Sequence, residues 1–114
     1  MEITRTGQVD NVMMMNRIDS DTAGDLEKTL NQLVAMGSKL IVCDFSHTTY
    51  ISSAGLRVLL SVTKTLLRSQ GKVVCCSLRP NVLEVFTIAG FNQIIPIYPG
   101  REAATTALGG KMSP

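Results

Sequence analysis

The chain has 114 residues, 45% apolar and 18% charged, which suits one folded domain and excludes a disordered chain. Eleven Lys and Arg against nine Asp and Glu leave a net charge of only +2. The basic residues are scattered, so the charge pattern gives no case for direct nucleic-acid binding or a membrane surface. No apolar run is long enough to span a bilayer, so no membrane insertion is expected. The opening Met1-Glu2-Ile3-Thr4-Arg5 is followed by polar residues and does not read as a secretory signal. Cys43, Cys75 and Cys76 sit in apolar, strand-like runs and read as small buried residues of a reducing, cytoplasmic compartment. With His47 as the single histidine and no ligand-like Cys spacing, no metal is expected.

In chain order, residues 3–6 and 12–15 predict two short strands, with hairpin-loop chemistry in Gly7-Gln8-Val9-Asp10-Asn11. Asn16 to Asp21 then breaks the apolar pattern, and Asp19, Ser20 and Asp21 all qualify as helix caps. A helix over about 22–36 follows, with Ala23, Leu26, Leu30, Leu33 and Val34 on one stripe and Gly37 at its end. Leu40-Ile41-Val42-Cys43 is continuously apolar and suits a strand buried on both faces. After the polar segment Asp44 to Ser52, a second helix is expected over 53–69. Its apolar face is read as Leu56, Leu59, Leu60, Thr63 and Leu67, and Gly71 stops it.

Residues 72–77 predict a further strand, and Pro80 the first position of a third helix carrying Val82, Val85, Phe86 and Ala89. Gly90 ends that helix, and residues 94–98 read as a last strand that Pro96 makes irregular. Pro99-Gly100 is a turn, and a short helix over 101–108 precedes a loose tail, 109–114. The order β-β-α-β-α-β-α-β-α predicts one α/β domain. Its sheet is mixed but mostly parallel, with an N-terminal antiparallel strand and about four helices. Functional loops in such folds lie beyond the C-terminal strand ends, where Asp44 to Ser52 falls.

Three chemistries are open to this loop. A serine hydrolase would need His47 within reach of Ser52 or Ser53, yet no Gly-x-Ser-x-Gly elbow surrounds them. The serines can instead cap the second helix. They can also accept phosphate, which adds about −1.5 to −2 charges at the favourable end of a helix. The fold would tolerate that charge, whereas a protein docked on the same surface would not. Gly55 either relieves crowding against a neighbouring strand or keeps the helix start flat for a partner. Asp19 either caps the first helix or stands beside Ser53, where an acid could orient the hydroxyl or help a partner hold Mg²⁺-nucleotide. No nucleotide-binding glycine motif is present, and no cofactor is expected.

The motifs together resemble the STAS family, and within it the stand-alone bacterial anti-sigma-factor antagonists. The matching residues are Asn16-Arg17-Ile18-Asp19 with Thr22-Ala23, then Asp44-Phe45-Ser46, then Tyr50-Ile51-Ser52-Ser53-Ala54-Gly55-Leu56, then Gly90-Phe91. Two departures are Asn16, where the family often has Gly, and Ser52, where several sporulation-type antagonists have Asp. The resemblance implies a regulator and not an enzyme. It implies capture of an anti-sigma factor with serine-kinase activity, release when Ser53 is phosphorylated, and restoration by a serine/threonine phosphatase. Asp19, Thr49, Ser52, Ser53, Gly55 and Arg57 would form the partner surface. A structural or scaffold subunit of a stress-signalling or lipid-transport complex is the alternative, and a weak homodimer is left open.

Overall fold

Strand β1 (Ile3–Thr6) turns into β2 (Val9–Met13) through Gly7 and Gln8, pairing antiparallel with Thr6 opposite Val9. The second strand therefore begins three residues earlier than the hydrophobic pattern suggests. The cause is that its polar residues are buried with partners. Asp10 accepts the Ser38 hydroxyl and pairs with Arg5 at 3.5 Å, and Asn11 accepts the Thr105 hydroxyl at 3.2 Å. The computed structural model describes residues 1–109. The tail expected after Leu108 lies, from residue 110 onward, outside the described residues.

The chain continues through β3 (Arg17–Ile18), α1 (Ala23–Ala35), β4 (Leu40–Asp44), β5 (Tyr50–Ile51) and α2 (Ser53–Arg68). It ends with β6 (Lys72–Cys76), α3 (Pro80–Ile88), a 3₁₀ turn (Phe91–Gln93), β7 (Ile97–Tyr98) and α4 (Arg101–Ala107). The five-stranded sheet has the order β1-β2-β4-β6-β7, with every pairing after the first parallel. The α/β class and the antiparallel first strand are as expected. The pair β3–β5 is an addition: two-residue strands too short to carry a period, joined as a separate parallel ladder. The expected strand over 94–98 contracts to β7 because the chain first makes the 3₁₀ turn. Pro96 stays outside the strand and uses its carbonyl to accept the Cys75 N–H at 2.9 Å.

Alternation along the central strands divides the core in two. Ile41, Cys43, Val73 and Cys75 face Leu26, Leu30, Leu59, Leu66 and Phe86 from α1, α2 and α3. Val9, Val42, Val74 and Cys76 face Ala104 of α4. Burial on both sides explains why these strands are continuously apolar. Burial pushes the Cys76 thiol up to about 11 and the Cys75 thiol well above its ordinary value, beside Cys43. The three cysteines are free and buried, and burial disfavours the thiolate of Cys75 and Cys76.

Helix α1 ends in a backbone reversal at Gly37, φ +95°, where the Ser38 N–H reaches back to the Leu33 carbonyl at 3.0 Å. In α2 the buried residues are Gly55, Leu56, Val58, Leu59, Val62, Thr63 and Leu66; of the expected face, Leu60 is half-buried and Leu67 is 56% exposed. The contact surface follows the 59-62-66 row, and Leu67 lies one residue past it. Ala89, expected on the apolar side of α3, is exposed at the C-terminal end of that helix.

Candidate functional site

The ladder β3–β5 builds the site. Ile18 pairs with Ile51, and the Ser52 N–H donates to the Ile18 carbonyl at 2.7 Å. The chain leaves β3 into Asp19 and leaves β5 into Ser52 and Ser53. Asp19 and the two serines therefore emerge from the same end of one parallel pair. The element that creates this common end is the ladder and not the main sheet.

Asp19 closes the turn before α1. Its Oδ1 accepts the Asp21 N–H at 2.9 Å and the Thr22 N–H at 3.2 Å, and its Oδ2 lies 3.5 Å from Arg17 Nε. Desolvation alone would raise its pKa, but the Asp21 and Thr22 amides, the Thr22 hydroxyl and Arg17 outweigh it and hold the carboxyl below its ordinary value. None of the three residues left open as caps takes that place: the N-cap is Thr22, without a side-chain capping bond, while Asp19 closes the turn before it and Ser20 and Asp21 are exposed.

The start of α2 divides the two serines. Ser52 has extended backbone and is the N-cap, its hydroxyl accepting the Gly55 N–H at 3.4 Å. Ser53 is the first helical residue, exposed, and its hydroxyl has no hydrogen-bond partner among the described residues. Gly55 is buried. A methyl group there would collide with Cγ2 of Ile18 and sit 3.1 Å from Cγ1 of Ile51. Gly55 lets α2 approach the ladder closely, as the crowding explanation requires. Arg57 is exposed and makes no ion pair among the described residues.

Thr49 is tied to the strand before it. Its N–H donates to the Asn16 carbonyl at 2.8 Å and its hydroxyl to Asn16 Oδ1 at 3.1 Å. Helix α3 braces the same segment: Asn81 Nδ2 donates to the Thr49 carbonyl at 2.7 Å and Arg79 Nη2 to the Ser46 carbonyl at 3.2 Å. Arg17 lies 4.6 Å from the centroid of the Tyr50 ring, an exposed cation–π pair across the ladder. Sequence reading missed Tyr50, Asn81 and Arg79 as site residues. Asn81 and Arg79 meet the loop from more than thirty residues away, and no local period announces such a contact. His47 is exposed and makes no hydrogen bond to Ser52 or Ser53 among the described residues, so the contact a serine hydrolase requires is not made. No group of three or more His, Cys, Asp and Glu among the described residues could hold a metal ion.

A parallel sheet ending in an acid-serine junction before a helix, on a chain whose residues 2–104 match the STAS domain model, decides the family. The chain belongs to the STAS domain family. A Bordetella bronchiseptica protein named as a candidate anti-sigma factor antagonist, BtrV, is 47% identical over 90 residues, 79% of this chain and 78% of that protein. The crystal structure of a candidate anti-sigma factor antagonist from Thermotoga maritima matches at TM-score 0.88 and 20% identity. The match covers 95% of this chain and 93% of that one. The phosphorylated form of the Bacillus cell fate determinant SpoIIAA matches at TM-score 0.72 and 15% identity, covering 93% of this chain and 97% of that one. The two structures share the STAS fold with this chain. No helix of the described residues is long and apolar enough to cross a membrane.

Proposed function

We propose that this STAS domain is an anti-sigma-factor antagonist switched by phosphorylation of Ser53. Unmodified, it binds an anti-sigma factor that is also a serine kinase and so frees a sigma factor. Phosphate on Ser53 releases it, and a serine/threonine phosphatase restores it. The observation that carries this reading is the division of labour at the start of α2. Ser52 is committed to capping, whereas the Ser53 hydroxyl is exposed and unbonded among the described residues. The likeness to BtrV points to the same class of function.

The docking surface is the junction of Asp19, Thr49, Ser52 and Ser53 with Arg57 one turn along α2. Gly55 serves it from below by seating the helix on Ile18. A phosphate at the first helical position is compatible with the helix N-terminus, so modification leaves the fold in place. It burdens an interface instead, because the new charge must be desolvated there. The test is incubation with the kinase and Mg-ATP, read by intact mass with site localisation. One phosphate at Ser53, absent from Ser53→Ala, is the expected result. An unmodified Ser53 in the presence of active kinase would turn the reading toward a structural or scaffold STAS subunit.

A further inference from the structure

Asp44 ends the central strand β4 and is buried, and its two oxygens serve different parts of the molecule. Oδ1 accepts the Ser46 N–H at 2.9 Å, fixing the first turn of the segment that runs to Ser53. Oδ2 accepts Arg101 Nε at 3.1 Å, the first residue of α4. The Arg101 side chain is 34% exposed and that of Asp44 6%, so the pair is shielded from salt on one side. The rest of α4 lies against the opposite face of the sheet from α1 and α2, through Ala104 on Val9, Val42 and Val74 and through Thr105 on Asn11.

Beyond Ser46 the segment has little freedom. Phe45 N–H is bonded to the Cys76 carbonyl at 3.0 Å, and its ring meets Phe86 edge-on at 5.6 Å. Thr48 N–H closes a turn on the Phe45 carbonyl at 2.9 Å, and its hydroxyl donates to the Met15 carbonyl at 2.8 Å. The Asp44 carboxylate is thus a joint between a helix on the far face of the sheet and the loop that presents the site.

We propose that α4 is a latch on the site segment: Arg101 aims the Asp44 carboxylate, the carboxylate fixes the Ser46 turn, and that turn orders the loop leading to Ser53. Arg101 and Asp44 are positioning residues. The consequence for binding rests on the partner-docking reading of this surface. Because coupling is reciprocal, a partner seated on the Ser53 surface also tightens α4, and whatever lifts α4 weakens the partner's hold.

The test uses the full chain and amide hydrogen exchange followed by NMR in the starting protein, Arg101→Ala and Arg101→Lys. The Ser46 amide is the direct reporter, since its acceptor is the Asp44 carboxylate. In Arg101→Ala it exchanges about tenfold faster or more, on the scale of a weakened hydrogen bond to a charged group, while amides of β2 and β4 keep their protection. Arg101→Lys recovers most of the difference. An unchanged Ser46 amide overturns the latch, and so does one that rises only in step with β2 and β4, which would make α4 a general stabiliser. Titration with the anti-sigma factor then reads the consequence: several-fold weaker binding in Arg101→Ala, and added protection of the Leu108 amide in the bound starting protein. Faster Ser46 exchange with unaltered affinity would overturn the coupling. Should the starting protein itself fail to bind, it is the proposed function that falls, and the Ser46 amide still decides the latch.

Discussion

The starts of α1 and α2 lie at the same end of the β3–β5 ladder and are built differently. Before α1, Asp19 ties the preceding turn, taking the amides of Asp21 and Thr22 and lying beside the guanidinium of Arg17, and Asp25 adds an acid in the first turn of the helix. Before α2, a neutral Ser52 makes one long capping bond, and the first turn holds no acid. The partial positive charge of a helix N-terminus is therefore met by an acid of the first turn at α1 and by none at α2, which leaves that start open. The exposed hydroxyl of Ser53 stands at the open one. On the proposed reading, a phosphate on Ser53 adds its charge at the helix start that holds no acid of its own.

The largest expected effect tests the open start directly. Ser53→Glu places a permanent charge there, and the complex with the anti-sigma factor weakens by about a hundredfold or more, the scale of an uncompensated charge in an interface. Calorimetric titration checks it, and binding as tight as that of the starting protein would remove the switch. Next, Gly55→Ala strikes the packing both starts depend on. Its methyl meets Ile18 Cγ2, so stability falls by about 1–3 kcal/mol in denaturant unfolding. Unchanged stability would mean that Ile18 and the ladder move aside freely.

Ser52→Ala removes the cap of α2 and costs about 0.5–1 kcal/mol, the lower end for capping residues because the bond is long. It should leave phosphorylation of Ser53 possible. The closed start has its own signature in acid. The Asp19 carboxyl is held below its ordinary value of 3.8, so its stabilisation is present above that pH and fades as pH falls below it toward the depressed folded value. Asp19→Asn should flatten that part of the stability–pH curve, and an identical acid limb in both proteins would show that the turn does not depend on the charge. The smallest effect is Ser53→Ala: unfolding free energy within about 0.5 kcal/mol of the starting protein, because the side chain is exposed. Ser52→Ala and Ser53→Ala thus separate capping from modification.

Much of this contrast was legible from residue order. Apolar periodicity located α1, α2 and the parallel strands, and Pro80 and Gly37 marked a beginning and an end where the structure has them. Buried polar groups misled it. Asp10 and Asn11 look like loop residues until Ser38, Arg5 and Thr105 are found around them. The ladder β3–β5 was invisible because two-residue strands show no alternation, and the braces from Arg79 and Asn81 were invisible because they are long-range.

The sequence by itself determined the α/β class, the helices and strands with a strong period, and the family motif around Ser52, Ser53 and Gly55. The class and the elements depend on local propensity and on which side chains leave water, both written in the order of residues, whereas the motif was legible as a resemblance to a known family. Only the tertiary structure decided which serine is committed and which is free, that Gly55 answers to Ile18, and that Asp44 joins α4 to the site. The last two are contacts between segments remote in the chain, fixed by how α2, α4 and the strands pack, whereas the serines are separated by the backbone turn into α2, whose cap bond spans only three residues.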